Sequence, residues 1–161
     1  MIKLNRPQTD VAIETMMTLA ETEFPIELVP IDQKEYVRKM GQFRRRKNAY
    51  NPVTKTMDLQ TYFDDDNPEY QKSVEDLLVD HIKNFKGVSL DGITELDGTL
   101  RENKLLLMNV RVEDYEVIEF EDKATKDKAE FKQKRDRYFS GLILDKLFEL
   151  SKIRAETSTK N

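Results

Sequence analysis

The chain has 161 residues, 38% of them hydrophobic and 36% charged, with a formal net charge of −4. That is the size of one ordinary domain, able to bury a real core, and its acidic balance exerts no global pull toward nucleic acid. The absence of cysteine excludes disulfides, thiolate metal sites and cysteine nucleophiles, and the single histidine excludes any two-histidine metal site within the chain.

No stretch approaches the ~18 apolar residues of a membrane span, and no apolar signal region opens the chain, so a soluble cytosolic protein is expected. Val11, Ile13, Met17 and Leu19, then Phe24, Ile26 and Leu28, follow a period of two. This predicts a β-hairpin over 10–29, with Ala20-Glu21-Thr22-Glu23 turning the chain. A helix from Asp10 to Leu19, capped by Thr9, is the competing reading.

Asp32 caps the next segment, with Glu35 three residues on and Ile31 and Tyr36 in staple positions. Tyr36, Val37, Met40 and Phe43 form one stripe, so a helix is expected over 33–46, ending in Arg44-Arg45-Arg46-Lys47 at the negative end of its dipole. Residues 48–66, punctuated by Asn51-Pro52 and Asp64-Asp65-Asp66, are expected as a long connection suited to binding. Asn67 and Pro68 open a second helix. Its stripe is Tyr70, Val74, Leu77, Leu78, Ile82 and Phe85, and Gly87 stops it. Asp91-Gly92 and Asp97-Gly98 mark turns, and Thr99 with Glu102 forms a capping box for a short helix carrying Leu100 and Leu105 to Met108. Val110, Val112, Tyr115, Val117, Ile118 and Phe120 fit neither period cleanly, and helix is favoured. A long helix from about 124 to 154 follows, charged in its first half and apolar in its second.

The expected fold is therefore α+β and mostly α-helical: a small N-terminal β-hairpin followed by at least four helices, the last one long. The chain reads as a single domain over 1–161. It holds the hairpin at 10–29, a helical body at 32–122, the C-terminal helix at 123–155 and a polar tail at 156–161.

Asp64 to Asp66, near Asp58 and Glu69, offer oxygen ligands but no EF-hand spacing, and an acidic turn before a helix cap explains them better. His81 lies at the edge of a helical stripe with no partner fixed by spacing, which suits a boundary histidine more than a general base. Arg44, Arg45, Arg46 and Lys47, with Phe43 and Tyr50 nearby, are the candidate phosphate contacts, set against a net-acidic chain. Residues 111–122 hold one arginine and six acids, whereas 123–137 hold seven basic residues and three acids. Such blocks pair with each other or recognise a partner. Phe139, Leu142, Ile143, Leu147 and Leu150 are the candidate partner-binding face; packing into the chain's own core is the equal reading. No constellation points to an enzyme, a cofactor or a metal site.

One order of segments resembles a known family. It runs from Phe24-Pro25-Ile26-Glu27-Leu28-Val29-Pro30, through a helix from Asp32, to His81-Ile82-Lys83-Asn84-Phe85-Lys86-Gly87-Val88 with Asp91-Gly92 behind it. It closes with Thr99-Leu100-Arg101-Glu102-Asn103-Lys104-Leu105-Leu106-Leu107. Over residues 24–108 this resembles tailed-phage tail assembly chaperones, which carry an aromatic-x-Gly-Val segment after a helix, an Asp-Gly turn and a threonine-capped helix. The aromatic position, often tryptophan in that group, is Phe85 here, and the 124–154 segment has no counterpart. The resemblance implies a non-enzymatic protein of the host cytoplasm. It would bind phage tail proteins, either the tape measure protein or the tail tube, or self-associate. A structural subunit of the tail or baseplate, present in the virion, and a nucleic-acid-associated module using Arg44 to Lys47 are the rival readings.

Overall fold

The computed structural model describes Met1 and residues 11–159 of the chain. The competing N-terminal helix is overturned where it can be seen: β1 (Ile13–Leu19) and β2 (Thr22–Leu28) form the antiparallel hairpin, with Met17 opposite Phe24. Thr9 and Asp10 lie outside the described residues. The turn is Ala20-Glu21 alone, both at positive φ (50° and 64°). That is the primed-turn conformation whose twist matches paired strands, reached here without Asn-Gly. Phe24, Ile26 and Leu28 point inward as their alternation requires.

The first helix is shorter than its stripe suggests. α1 (Gln33–Lys39) is capped by Asp32, whose side chain accepts from the Lys34 amide at 2.7 Å. A single 3₁₀ turn at Gly41–Phe43 buries Phe43 and ends the helical stretch. The basic run then enters β3 (Arg44–Asn51), which pairs antiparallel with β4 (Thr56–Phe63). The expected connection at 48–66 is thus mostly strand. Asn51 makes the reversal: its Oδ1 accepts from Val53 and Thr54, its Nδ2 donates to Asp58 at 2.7 Å, and Lys55 takes φ 58°.

α2 (Pro68–His81) begins as expected, with Asn67 Oδ1 accepting from the Glu69 amide at 3.0 Å. It ends six residues before Gly87, because Ile82–Phe85 leaves the helix as β5 and pairs with β2. The three-stranded sheet has the order β1-β2-β5. A bulge opposite Glu27 and Leu28 sets Ile82 against Leu28 and Phe85 against Ile26, so both bury although they stand three apart. A bulge that shifts facing by one residue imitates helical spacing. α3 (Arg101–Met108) is capped at Leu100 with no side-chain cap, while the Thr99 hydroxyl donates to Asp97 at 2.6 Å; the capping box does not form.

The ambiguous segment is β6 (Arg111–Glu121), and the charged first half of the expected last helix is β7 (Lys128–Tyr138). They pair over their whole length into a second two-stranded ribbon. α4 (Phe139–Thr159) starts only at Phe139 and takes in four residues of the expected tail. The last two residues of that tail lie outside the described residues. With seven strands in three sheets among the described residues, the fold is α+β but not mostly helical.

The core lies between the β1-β2-β5 sheet and the helices. Phe24, Ile26, Leu28, Ile82 and Phe85 from the sheet meet Leu78 of α2, Met108 of α3, and Phe139, Ile143 and Leu147 of α4. Phe24 and Phe139 stack tilted, 5.9 Å between ring centres. A second aromatic group seats the β3–β4 ribbon: Tyr36, Phe43, Phe63, Tyr70 and Phe148 meet ring to ring at 5.4–5.7 Å. Within it the Tyr36 and Tyr70 hydroxyls hydrogen-bond at 2.7 Å.

Burial, then the hydrogen bond and charge of Tyr70, push the Tyr36 phenol far above its ordinary 10.0. Tyr70 is raised as well, chiefly by burial, against the opposing effect of its bond to Tyr36. The folded chain therefore keeps protons that the unfolded chain releases above pH ~10. This stabilisation is complete below pH ~10 and is lost as pH rises beyond it. Tyr36→Phe should cost ~1 kcal/mol at neutral pH and give a shallower alkaline decline. Urea midpoints for both proteins at neutral and alkaline pH test this; parallel declines would show that the pair does not set it.

Candidate functional site

The structure disperses the sequence candidates. Half-buried His81 places Nδ1 2.8 Å from the Val29 carbonyl oxygen, a bond that ties the end of α2 to the end of β2. Asp64 faces Arg45 at 3.9 Å, and its backbone amide donates to the Phe43 carbonyl at the ribbon base. Among the described residues no three histidine, aspartate or glutamate side chains gather as metal ligands.

The basic run does not form one patch. Alternation along β3 sends Arg45 and Lys47 to one face and Arg44 and Arg46 to the other. Arg45 donates to the Gln42 carbonyl at 3.0 Å, and Lys47 lies over the Tyr62 ring at 5.0 Å. The opposite face carries Arg44, Arg46 and Tyr50, with Phe63, Thr61, Leu59 and Met57 across the ladder. Apart from half-buried Phe63, every one of these is exposed.

The two charge blocks close on each other as strands, not as faces of helices. Glu113 meets Lys134 at 3.2 Å, and Arg137 reaches both Asp114 (3.3 Å) and Asp145 of α4 (3.0 Å). The ribbon is thereby fastened to the helix that follows it. Its far end keeps a small apolar cluster, with Phe120 and Phe131 edge to face at 6.2 Å.

The proposed partner-binding face of α4 is not a free surface. Phe139, Ile143, Leu147 and Leu150 are buried, and Leu142 is half-buried against the same core. A helix whose apolar arc is satisfied by its own sheet has nothing left there for a partner.

Most of the exposed large apolar side chains lie elsewhere: Tyr50, Met57, Leu59 and Tyr62 on the first ribbon, Tyr115, Val117 and Phe131 on the second, and Leu90 and Ile93 in the loop between β5 and α3, with Val11, Met16, Leu100, Leu106 and Ile153 scattered over the N-terminal segment and the helices. Sequence reasoning placed none of them in a site. The signals present were Tyr50 beside the basic run and the Asp-Gly turn beneath Ile93. That loop is firmly built. Asp91 Oδ1 accepts from the Ile93 and Thr94 amides at 2.8 Å, the Gly92 amide donates to Ser89 Oγ, and the Gly87 amide donates to Glu95 at 2.7 Å. The Thr94 and Ile93 amides hold the Asp91 carboxyl below the usual carboxylate range. On α3, burial and the nearby charge of Lys83 lower Lys104 against the attraction of Asp80.

A depression of about 70 Å³ along the β2–β5 pairing, lined by Glu14, Glu27, Asn84 and Lys86 among others, is of a size for waters, not for a metabolite. No helix among the described residues is long and apolar enough to cross a membrane. Compared with known proteins, the chain matches no protein-family model, no curated protein and no solved structure.

Proposed function

We propose that the chain is a non-enzymatic phage tail assembly chaperone that binds tail components, the tape measure protein foremost, in the host cytoplasm. The observation that carries this reading is the division of the molecule. One core takes up most of the apolar surface of the helices, leaving Leu106 and Ile153 exposed, while two β-ribbons and one braced loop hold most of the other large apolar side chains that stand in water. Scattered exposed apolar residues are ordinary, but their concentration on projecting ribbons is the pattern of a surface that meets other chains. The contact surface is accordingly placed on the ribbons and the loop instead of on α4.

Two of the three motifs of the resemblance support the reading through the work they do, whereas Thr99 does not cap α3. Phe85 is buried in β5, Gly87 takes the left-handed conformation at φ 77°, and Asp91-Gly92 makes a turn with Gly92 at φ 76°. These are the positions at which an aromatic-x-Gly-Val segment and an Asp-Gly turn have backbone reasons to recur.

Quantitative mass spectrometry of purified virions beside the lysate of infected cells tests the proposal. A chaperone is expected in quantity in the lysate and absent from virions. A fixed copy number per virion would replace it with a structural tail or baseplate subunit.

A further inference from the structure

Two exposed surfaces of this chain are complementary to each other. The first is the outer face of the β3–β4 ribbon. Tyr50, Met57 and Leu59 stand there 57%, 61% and 64% exposed beside Arg44 and Arg46. Neither arginine has an ion pair among the described residues, and no carboxylate stands on that face. The ribbon as a whole sets four basic residues on β3 against one carboxylate, Asp58, on β4. In a chain of net charge −4 it is a positive pole with an apolar tip.

The second surface is the loop between β5 and α3. Between Gly87 and Leu100 it carries Asp91, Glu95 and Asp97 and no basic residue. Leu90 and Ile93 are 75% and 90% exposed. The loop is held by the hydrogen bonds at Asp91, Ser89 and Glu95, by a bridge between Ser89 and Glu95, and by the Leu96 amide donating to Val88 at 2.8 Å. A braced loop loses little ordering entropy when it docks.

Within one chain these surfaces do not cover each other, because Tyr50, Met57 and Leu59 on the ribbon and Leu90 and Ile93 on the loop are all exposed.

We infer that the chain associates head to tail with a second copy, the 89–97 loop of one seated on the Arg44–Arg46–Tyr50–Met57–Leu59 face of the next. Ile93 and Leu90 cover the apolar tip, and the loop carboxylates meet Arg44 and Arg46. Such an interface is heterologous, so it continues into a ring or an open filament rather than stopping at a symmetric dimer. This inference stands apart from the tail-assembly reading and can fail without it.

Sedimentation velocity on the full chain tests it. The wild type is expected to exceed its monomer mass of 19.0 kDa as concentration rises, and to dissociate with added salt. Ile93→Asp, and separately Arg44→Glu with Arg46→Glu, lie at exposed positions and should leave the circular dichroism melt unchanged. Each should weaken association at least ~10-fold. Mixing the two variants is the decisive step. The first keeps an intact ribbon and the second an intact loop, so together they should form a one-to-one pair that grows no further. A wild type that stays at monomer mass at all concentrations, either variant assembling like wild type, or a mixture that remains two monomers would each overturn the inference.

Discussion

Replacing Ile143 and Leu147 together with aspartate should leave the chain without a cooperative unfolding transition. Both side chains are fully buried, four residues apart on the inward face of α4, among Phe24, Phe85 and Met108 in the common core. Truncating such a residue to alanine already costs ~2–5 kcal/mol through lost transfer energy and the cavity left behind. Aspartate adds the cost of a carboxyl in an apolar setting. It must either be desolvated as an anion or be neutralised at pH 7, about three units above its normal range, at ~1.4 kcal/mol per unit. Two such sites cost ~10 kcal/mol or more, which is comparable to the whole stability of a typical domain, ~5–15 kcal/mol. Lys152→Glu on the exposed side of the same helix should change stability by no more than ~0.5 kcal/mol. Far-UV circular dichroism with thermal melting reads both. A double variant that melts cooperatively near the wild-type temperature would show that α4 does not close the core. The same result bears on function, because loss of partner binding in an unfolded chain says nothing about which surface the partner touches.

What the sequence showed and what it hid divide along a physical line. Where one face of an element is buried and the other wet, the periodicity was legible: Phe24, Ile26 and Leu28 in β2, and Val74 and Leu78 behind the Asn67-Pro68 start of α2. Where both faces are wet, no contrast exists to read. The β3–β4 ribbon leaves Arg45, Lys47 and Tyr62 exposed on one face and Arg44, Arg46, Met57 and Leu59 exposed on the other, so its alternation carries no polarity signal. The β6–β7 ribbon hid for a related reason. Lysine and glutamate are good helix formers, and along β7 they outnumber Ala129 and Phe131. The acidic and basic blocks at 111–137 suit a hairpin no better than a helix surface, because the register sets Asp114 against Arg135 and Glu121 against Lys128 but also Glu113 against Asp136 and Glu119 against Glu130. The helical reading of Ile82 and Phe85 failed on a bulge, which no periodicity reveals. The candidate sites follow the same rule. The α4 face was visible as apolar but not as already covered, whereas the exposed Met57, Leu59 and Ile93 lie in segments that looked like plain connection.

Gly98→Ala should be the most damaging single glycine substitution in the loop between β5 and α3. Gly98 is buried, and a methyl group there would fall inside the contact distance of the Phe85 backbone nitrogen and oxygen, with Asn84 Oδ1 2.8 Å away. The obstacle is backbone, and that backbone is fixed: Phe85 is paired with Ile26 across the sheet and its ring is buried. Relief therefore requires the loop to lift away from β5. Overpacking of this kind costs ~1–3 kcal/mol and more where nothing can yield, so ~3 kcal/mol is expected. For a chain of this length that lowers the melting temperature by ~6–12 °C. Gly92 separates the steric cause from the conformational one. It has φ 76°, and a methyl group added there would meet nothing within 4 Å, so Gly92→Ala should lose only the ~1 kcal/mol of left-handed strain. Gly87, at φ 77° with Phe24 Cβ 3.9 Å away in ordinary contact, belongs with Gly92. Equal losses at Gly98 and Gly92 would mean that the loop does not press on β5. A large loss at Gly98 alone would place the whole acidic loop, Ile93 included, on the rigid edge of the core sheet, where it can be offered to another chain without ordering cost.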